Sequence, residues 1–139
     1  MASLKPVYVA ETGISGTSLN ALANGATGTS DAVDNGTNRY QDYLINVYID
    51  GTAAAAAYLE VRASLSCDGT NYSLWDSAIP LGTIQLSTDL QRGIFSLVGH
   101  GNLFTAPEDF KIMVKNNTGA ALHATNSYVR VQGIYTEAA

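Results

Sequence analysis

Few side chains in this sequence have the chemistry to act on a substrate. Cys67 is the only cysteine, and His100 and His123 are the only histidines. A nucleophilic thiolate needs a base within hydrogen-bond reach, so catalysis would require a fold that carries Cys67 to one of those two rings. Cys67 directly precedes Asp68-Gly69, a turn dipeptide, and a small thiol at the end of a strand is the plainer structural reading. Two histidines in separate loops also fall short of the three or four ligands of a zinc site. Oxygen ligands are better supplied. Asp31, Asp34 and Asn38 in one polar stretch, and Asp68 with Asn71 in another, offer the carboxylates and amides that calcium prefers. Neither spacing is that of an EF-hand loop, and the same residue types bond their own backbone in turns. The aromatic pairs Tyr72 with Trp75 and Tyr40 with Tyr43 are spaced to stack on sugar rings, or equally to pack beneath their own chain. The residues therefore predict no catalytic centre, no metal and no cofactor, and leave glycan binding at Tyr72 and Trp75 as one reading.

The elements that would position these groups read as strands. In residues 58–66, Leu59, Val61, Ala63 and Leu65 alternate with Glu60, Arg62, Ser64 and Ser66, the period of two expected of a strand with one face in a core. Asp68-Gly69 predicts a tight turn, and residues 71–75 then read as the returning strand of a hairpin. Residues 43–50 repeat the pattern, with Tyr43, Ile45, Val47 and Ile49 inward. Residues 109–116 place Phe110, Ile112 and Val114 inward; residues 128–135 place Val129 and Val131 on one face, with Gly133 marking a bulge or a close backbone approach. Shorter strands are expected at residues 83–86 and 91–98. The polar stretch 11–38 has room for two, around Leu19 and Ala21 and within residues 26–33. The alanine run at 53–57 is too short for a stable helix and reads as a connection. The expected fold is all-β, an antiparallel β-sandwich or jelly roll of about eight strands. Residues 1–19 read as an N-terminal arm or extended segment, and residues 20–139 as a single β-sandwich domain.

Composition narrows the function classes. The 139 residues carry 12 acidic and 7 basic groups, a net charge of −5, and only 14% charged residues. No run of Lys or Arg exists to displace counterions from phosphates, which argues against direct nucleic-acid binding and against docking on an anionic membrane surface. No apolar run is long enough to span a bilayer, and the first residues lack the apolar region of a secretory signal. A polar surface nearly free of charge suits a protein packed against copies of itself or a partner.

Three segments carry a family resemblance: SLSCDGTNYSLW at residues 64–75, FSLVGHGNLF at 95–104 and FKIMVKNNTGAAL at 110–122. With them the chain resembles the small β-sandwich head decoration, or capsid cement, proteins of tailed bacteriophages. The likeness covers roughly residues 20–136 and rests most on Ser66, Asp68, Gly69, Thr70, Asn71 and Tyr72. It implies a virion structural protein made in the host cytoplasm that sits on the outer capsid surface. Such a protein forms a homo-oligomer, with a trimer favoured, and holds neighbouring major capsid protein subunits together. In that setting Leu4, Pro6, Val7, Tyr8 and Val9 are the candidate partner-binding residues, by strand addition to an exposed edge. A tail, fibre or baseplate component that binds a receptor or carbohydrate through Tyr72 and Trp75 is the alternative.

Overall fold

Alternating inward residues give two antiparallel sheets packed face to face. A computed structural model describes residues 3–15, 18–50, 57–86 and 90–138. Its strands are β1 (Leu4–Tyr8), β2 (Thr12–Gly13), β3 (Thr27–Thr29), β4 (Val33–Asp34), β5 (Asp42–Asp50), β6 (Tyr58–Ser66), β7 (Ile79–Gln85), β8 (Leu90–Ser96), β9 (Asp109–Asn117) and β10 (Tyr128–Ala138). A single helical turn, α1 (Leu97–Gly101), follows β8. The first sheet runs β1-β10-β5-β8, with β2 also on β10; the second runs β3-β9-β6-β7, with β4 also on β9. The expected all-β sandwich is what forms, with ten strands among the described residues where about eight were expected.

The core lies between the sheets. Tyr43, Ile45, Val47 and Ile49 of β5 face Leu59, Val61 and Ala63 of β6 and Phe110, Ile112 and Val114 of β9, and Val129 and Val131 of β10 complete it. At one end an aromatic chain links the layers. The Tyr40 ring stacks on Tyr135 at 6.0 Å and meets Tyr43 edge-on at 5.7 Å, and Tyr43 meets Phe110 edge-on at 5.1 Å. Gly133 lets this happen, because a methyl group there would fall inside the Tyr40 ring. The close approach expected at Gly133 is thus made by a side chain.

Several sequence expectations need correction. Residues 71–75 do not form a returning strand. β6 already pairs along its whole length with β9 and over residues 58–63 with β7, so only its last residues have a free side. There Leu65 and Ser73 are joined by a backbone bond of 3.2 Å from Ser73 N–H, and the Ser73 hydroxyl accepts from Leu65 N–H at 3.2 Å. The segment is held by these bonds and ends in a 3-10 turn at Trp75–Ser77; the hairpin partner of β6 is β7. Pro80 and Gly82, residue types that usually end a strand, lie inside β7. An edge strand tolerates a missing N–H, and a register shift between Val61 and Arg62 absorbs the irregularity. The strand expected over residues 91–98 stops at Ser96, whose hydroxyl accepts from Gly99 N–H at 2.9 Å and starts α1 instead. Asp42 fixes that helix by accepting from Val98 N–H and the Ser96 hydroxyl. Leu19 and Ala21 sit in a turn anchored by Ala21 N–H on the His123 carbonyl at 2.7 Å, while Leu19 itself is fully buried. Of the alanine connection, residues 53–56 lie outside the described residues.

Candidate interaction surface

The groups with catalytic or ligating chemistry do not converge. Cys67 is exposed in the turn after β6. His100 lies at the Asp42 end of β5, where its Nδ1 accepts from Ser96 N–H at 2.8 Å. His123 lies at the other end, its Nδ1 3.7 Å from Asp50. The two histidines are therefore separated by the length of β5, about 25 Å at the rise of an extended strand. Asp68 spends its oxygens on its own turn. Its Oδ1 accepts from Ser66 Oγ, Thr70 N–H and Asn71 N–H, and its Oδ2 from the Asn71 amide. Those bonds hold its carboxyl well below the usual carboxylate range. Asp34 likewise caps Gly36 N–H at 2.8 Å. No group of three metal-ligating side chains occurs among the described residues.

Tyr40 and Tyr43 are not a sugar platform. Tyr43 is buried, and its hydroxyl donates to Asn35 Oδ1 at 3.0 Å. Burial first, then the neighbouring Tyr40 and Asp34, pushes its pKa up to about 12. Asn35 in turn bonds Tyr40 through both ends of its amide. Asn116 is the second buried amide, and all four of its hydrogen bonds are satisfied, to Leu22, Ala120 and Thr118. Nothing in the sequence singles out either asparagine, because buried and exposed asparagines look alike in a polar run.

What remains is the two outer faces of the sandwich. On the first sheet, cross-strand partners share a face, and the registers place Tyr8 beside Ile134, Leu44 beside Gln132 and Ser96, Ile94 beside Asn46, and Tyr48 beside Tyr128 and Arg92. Leu4 and Pro6 extend this face along β1. Leu4 is 73%, Tyr8 56% and Ile94 48% exposed, and the Tyr48 and Tyr128 rings stack 5.0 Å apart. The face is mixed rather than purely apolar: Arg92, Asn46 and Arg130 are interleaved with these side chains, and the Arg130 guanidinium lies 4.4 Å from the Tyr128 ring centre and 3.7 Å from Glu11. Exposed apolar side chains grouped on one sheet face are of the kind that marks a protein interface. Of the sequence candidates, Leu4, Pro6 and Tyr8 lie on it, whereas Val7 and Val9 point toward the core side and are half-buried.

The β1 edge next to this face resists strand addition. Val9 N–H bonds the Gly133 carbonyl at 2.9 Å, so alternation directs the N–H groups of Val7 and Lys5 toward β10 and leaves Leu4, Pro6 and Tyr8 to face outward. Pro6 has no N–H to offer. A proline in the middle of a free edge blocks pairing with a further strand, and β1 itself is already paired with β10 in its own chain. The geometry favours docking through the face over docking through the edge.

The outer face of the second sheet carries the other aromatic pair. Tyr72 and Trp75 lie there, half-buried, and cations from the sheet contact both rings. Lys111 Nζ is 4.4 Å from the Tyr72 ring centre, and the Arg62 guanidinium 4.4 Å and Lys115 Nζ 5.7 Å from that of Trp75. Arg62 also donates to the Trp75 carbonyl at 2.8 Å. The signal for this arrangement was present in the sequence as Lys111, Lys115 and Arg62 at outward strand positions.

No protein-family model matches the chain, and no curated protein does. Among solved structures, it is similar to BuGH86wt in complex with neoagarooctaose, with 13% identity and a TM-score of 0.50. That match covers 96% of this chain and 19% of the other, so the chain spans about a fifth of that structure's length. Desmodium yellow mottle tymovirus is similar at 15% identity, with a TM-score of 0.41 over 99% of this chain and 82% of the other. A non-crystalline cellulose specific carbohydrate-binding module, CBM28, is similar at 10% identity, with a TM-score of 0.42 over 80% and 66%. At these identities the first likeness concerns the fold alone.

Proposed function

We propose that this protein is a virion structural protein that binds the outer surface of a phage capsid through the outer face of its first sheet and stabilises contacts between major capsid protein subunits. The observation that carries the reading is that face, where Leu4, Tyr8 and Ile94 stay exposed beside the stacked Tyr48 and Tyr128 rings, with Arg92 and Arg130 among them, and no other element among the described residues covers it. A homotrimer supplies three copies of it. Each copy need bind only weakly, because an oligomer touching several capsomers gains affinity through effective concentration. Whatever binds only the expanded lattice stabilises that lattice by linkage. The sequence resemblance to capsid cement proteins supports the same reading. The test is co-sedimentation with expanded, undecorated heads, comparing the wild type with Ile94→Lys and Tyr8→Lys. Both side chains are exposed in the free chain, so the variants should fold normally and lose the capsid. Retained binding by both would reject this face as the docking surface.

A second reading, a tail, fibre or baseplate component that binds a receptor carbohydrate, is favoured by the placement of Tyr72 and Trp75 on an outer face. Glycan-array binding that disappears in Trp75→Ala would support it.

A further inference from the structure

We infer that the outer face of the second sheet binds an acidic polysaccharide, one bearing carboxylate or sulfate groups along its chain. The inference rests on the reading of Tyr72 and Trp75 as a sugar platform and adds the charge of the sugar. Arg62, Lys111 and Lys115 are three of the seven basic residues of a chain with a net charge of −5, and all three project from the same sheet face. Arg62 sits opposite Met113, Lys111 opposite Ser64 and Lys115 opposite Glu60. The two lysines lie four residues apart on β9, about 13 Å at strand rise, so the span suits an oligosaccharide better than a single ring. Glu60 engages Arg62 at 3.4 Å and lies opposite Lys115, and Asp109 shares the outward face of β9 two residues from Lys111. No carboxylate among the described residues pairs with Lys111 or Lys115; their contacts are with the ring faces, so neither charge is neutralised by an ion pair.

The rings and the cations select the ligand together. The cations reach Tyr72 and Trp75 from the sheet, so they occupy the inner side of each ring, and neither ring stacks on another aromatic side chain. A flat ring resting on a sheet presents its other side to a pyranose. A neutral glycan would use the rings and leave the lysines idle. An acidic peptide would use the lysines without needing the rings. An acidic polysaccharide engages both: a sugar stacks on the free side of a ring, and anionic groups that reach past the ring edge meet Lys111 and Lys115 through charge-assisted hydrogen bonds. The face is opposite the one assigned to capsid docking, so a capsid-bound protein can present it to the surroundings.

The experiment is affinity electrophoresis of the full chain in gels containing polygalacturonate, dextran sulfate, neutral hydroxyethyl cellulose or poly-glutamate. Retardation by polygalacturonate or dextran sulfate that weakens with salt is expected, with none by hydroxyethyl cellulose. The variant Lys111→Gln/Lys115→Gln should weaken it about tenfold or more, and Trp75→Ala should weaken it comparably. Both changes are at exposed or half-exposed positions, and circular dichroism checks the fold. Equal retardation by the neutral polymer, unchanged in the double glutamine variant, would overturn the acidic preference while leaving the sugar platform standing. Retardation by poly-glutamate that Trp75→Ala does not affect would assign the face to an acidic peptide. No retardation by any polymer would overturn both the inference and the sugar reading beneath it.

Discussion

Removing the Asn116 side chain should cost about 3 kcal/mol, and the geometry says why. The amide donates to the Leu22 carbonyl at 2.9 Å and the Ala120 carbonyl at 2.8 Å, and its oxygen accepts from Thr118 N–H at 2.9 Å and Thr118 Oγ1 at 2.7 Å. After Asn116→Ala, the Leu22 carbonyl keeps Leu122 N–H at 3.0 Å, and the Ala120 carbonyl, 2.9 Å from Thr118 Oγ1, takes the hydroxyl hydrogen that Asn116 Oδ1 no longer accepts. Losing a bond whose acceptor is still served costs about 0.5–1.5 kcal/mol. Thr118 N–H, in a residue only 7% exposed, is left with no acceptor, at about 1–3 kcal/mol. Asn116→Asp keeps both acceptor contacts but turns a carboxylate toward two carbonyls, so at pH 7 it should be worse than alanine. Burial raises the folded pKa of such a carboxyl above its unfolded value. Its stability deficit therefore shrinks as pH falls toward the unfolded carboxylate range and grows as pH rises. Urea denaturation of the three proteins at pH 7 and pH 5 measures this. An alanine variant within about 0.5 kcal/mol of wild type, or an aspartate variant as stable as wild type at pH 7, would refute the reasoning.

Tyr43 gives an alkaline prediction. Its pKa is raised to about 12 from the model-compound value of 10.0, so the unfolded chain releases this proton first and wild-type stability falls between pH 10 and pH 12, by at most about 2 kcal/mol. Tyr43→Phe should lose about 1 kcal/mol at neutral pH, with the bond to Asn35, yet decline less steeply over that window; parallel curves in chemical denaturation would contradict this. Gly133→Ala forces the added methyl against the Tyr40 ring and should destabilise by about 1–3 kcal/mol. The loss should be partly relieved by Tyr40→Leu in a double-mutant cycle, and simple additivity would rule out the clash. Deleting residues 1–8 removes Leu4, Pro6 and Tyr8 from the docking face but spares the buried Ile14 and Leu19. The truncated chain should fold and bind expanded heads more weakly, and unchanged affinity would dismiss β1 as a contact.

Where one strand face is buried and the other wet, the sequence was readable. β5, β9 and β10 alternate as expected because each lies over the core along most of its length. The segment after Asp68 was misread because a turn signal followed by spaced aromatics looks the same whether the return is a ladder or a loop tied down by serine hydroxyls. β2, β3 and β4 have two or three residues each, too few to show a period, and they exist because β9 and β10 offer them an edge. The end of β8 turned on Ser96 and Asp42, which are far apart in sequence and meet only in the fold. The two outer faces were half visible. Alternation named their residues, but which residues share a face depends on cross-strand register, and register is set by pairing that no local pattern encodes.

The most direct measurement is a cryo-electron microscopy reconstruction of expanded heads decorated with this protein, fitted with the sandwich. The account predicts that Ile94, Leu44 and Tyr8 face the major capsid protein while Tyr72 and Trp75 face solvent. A reconstruction with the second sheet against the shell and the first sheet exposed, or one in which the heads acquire no added density, would contradict it.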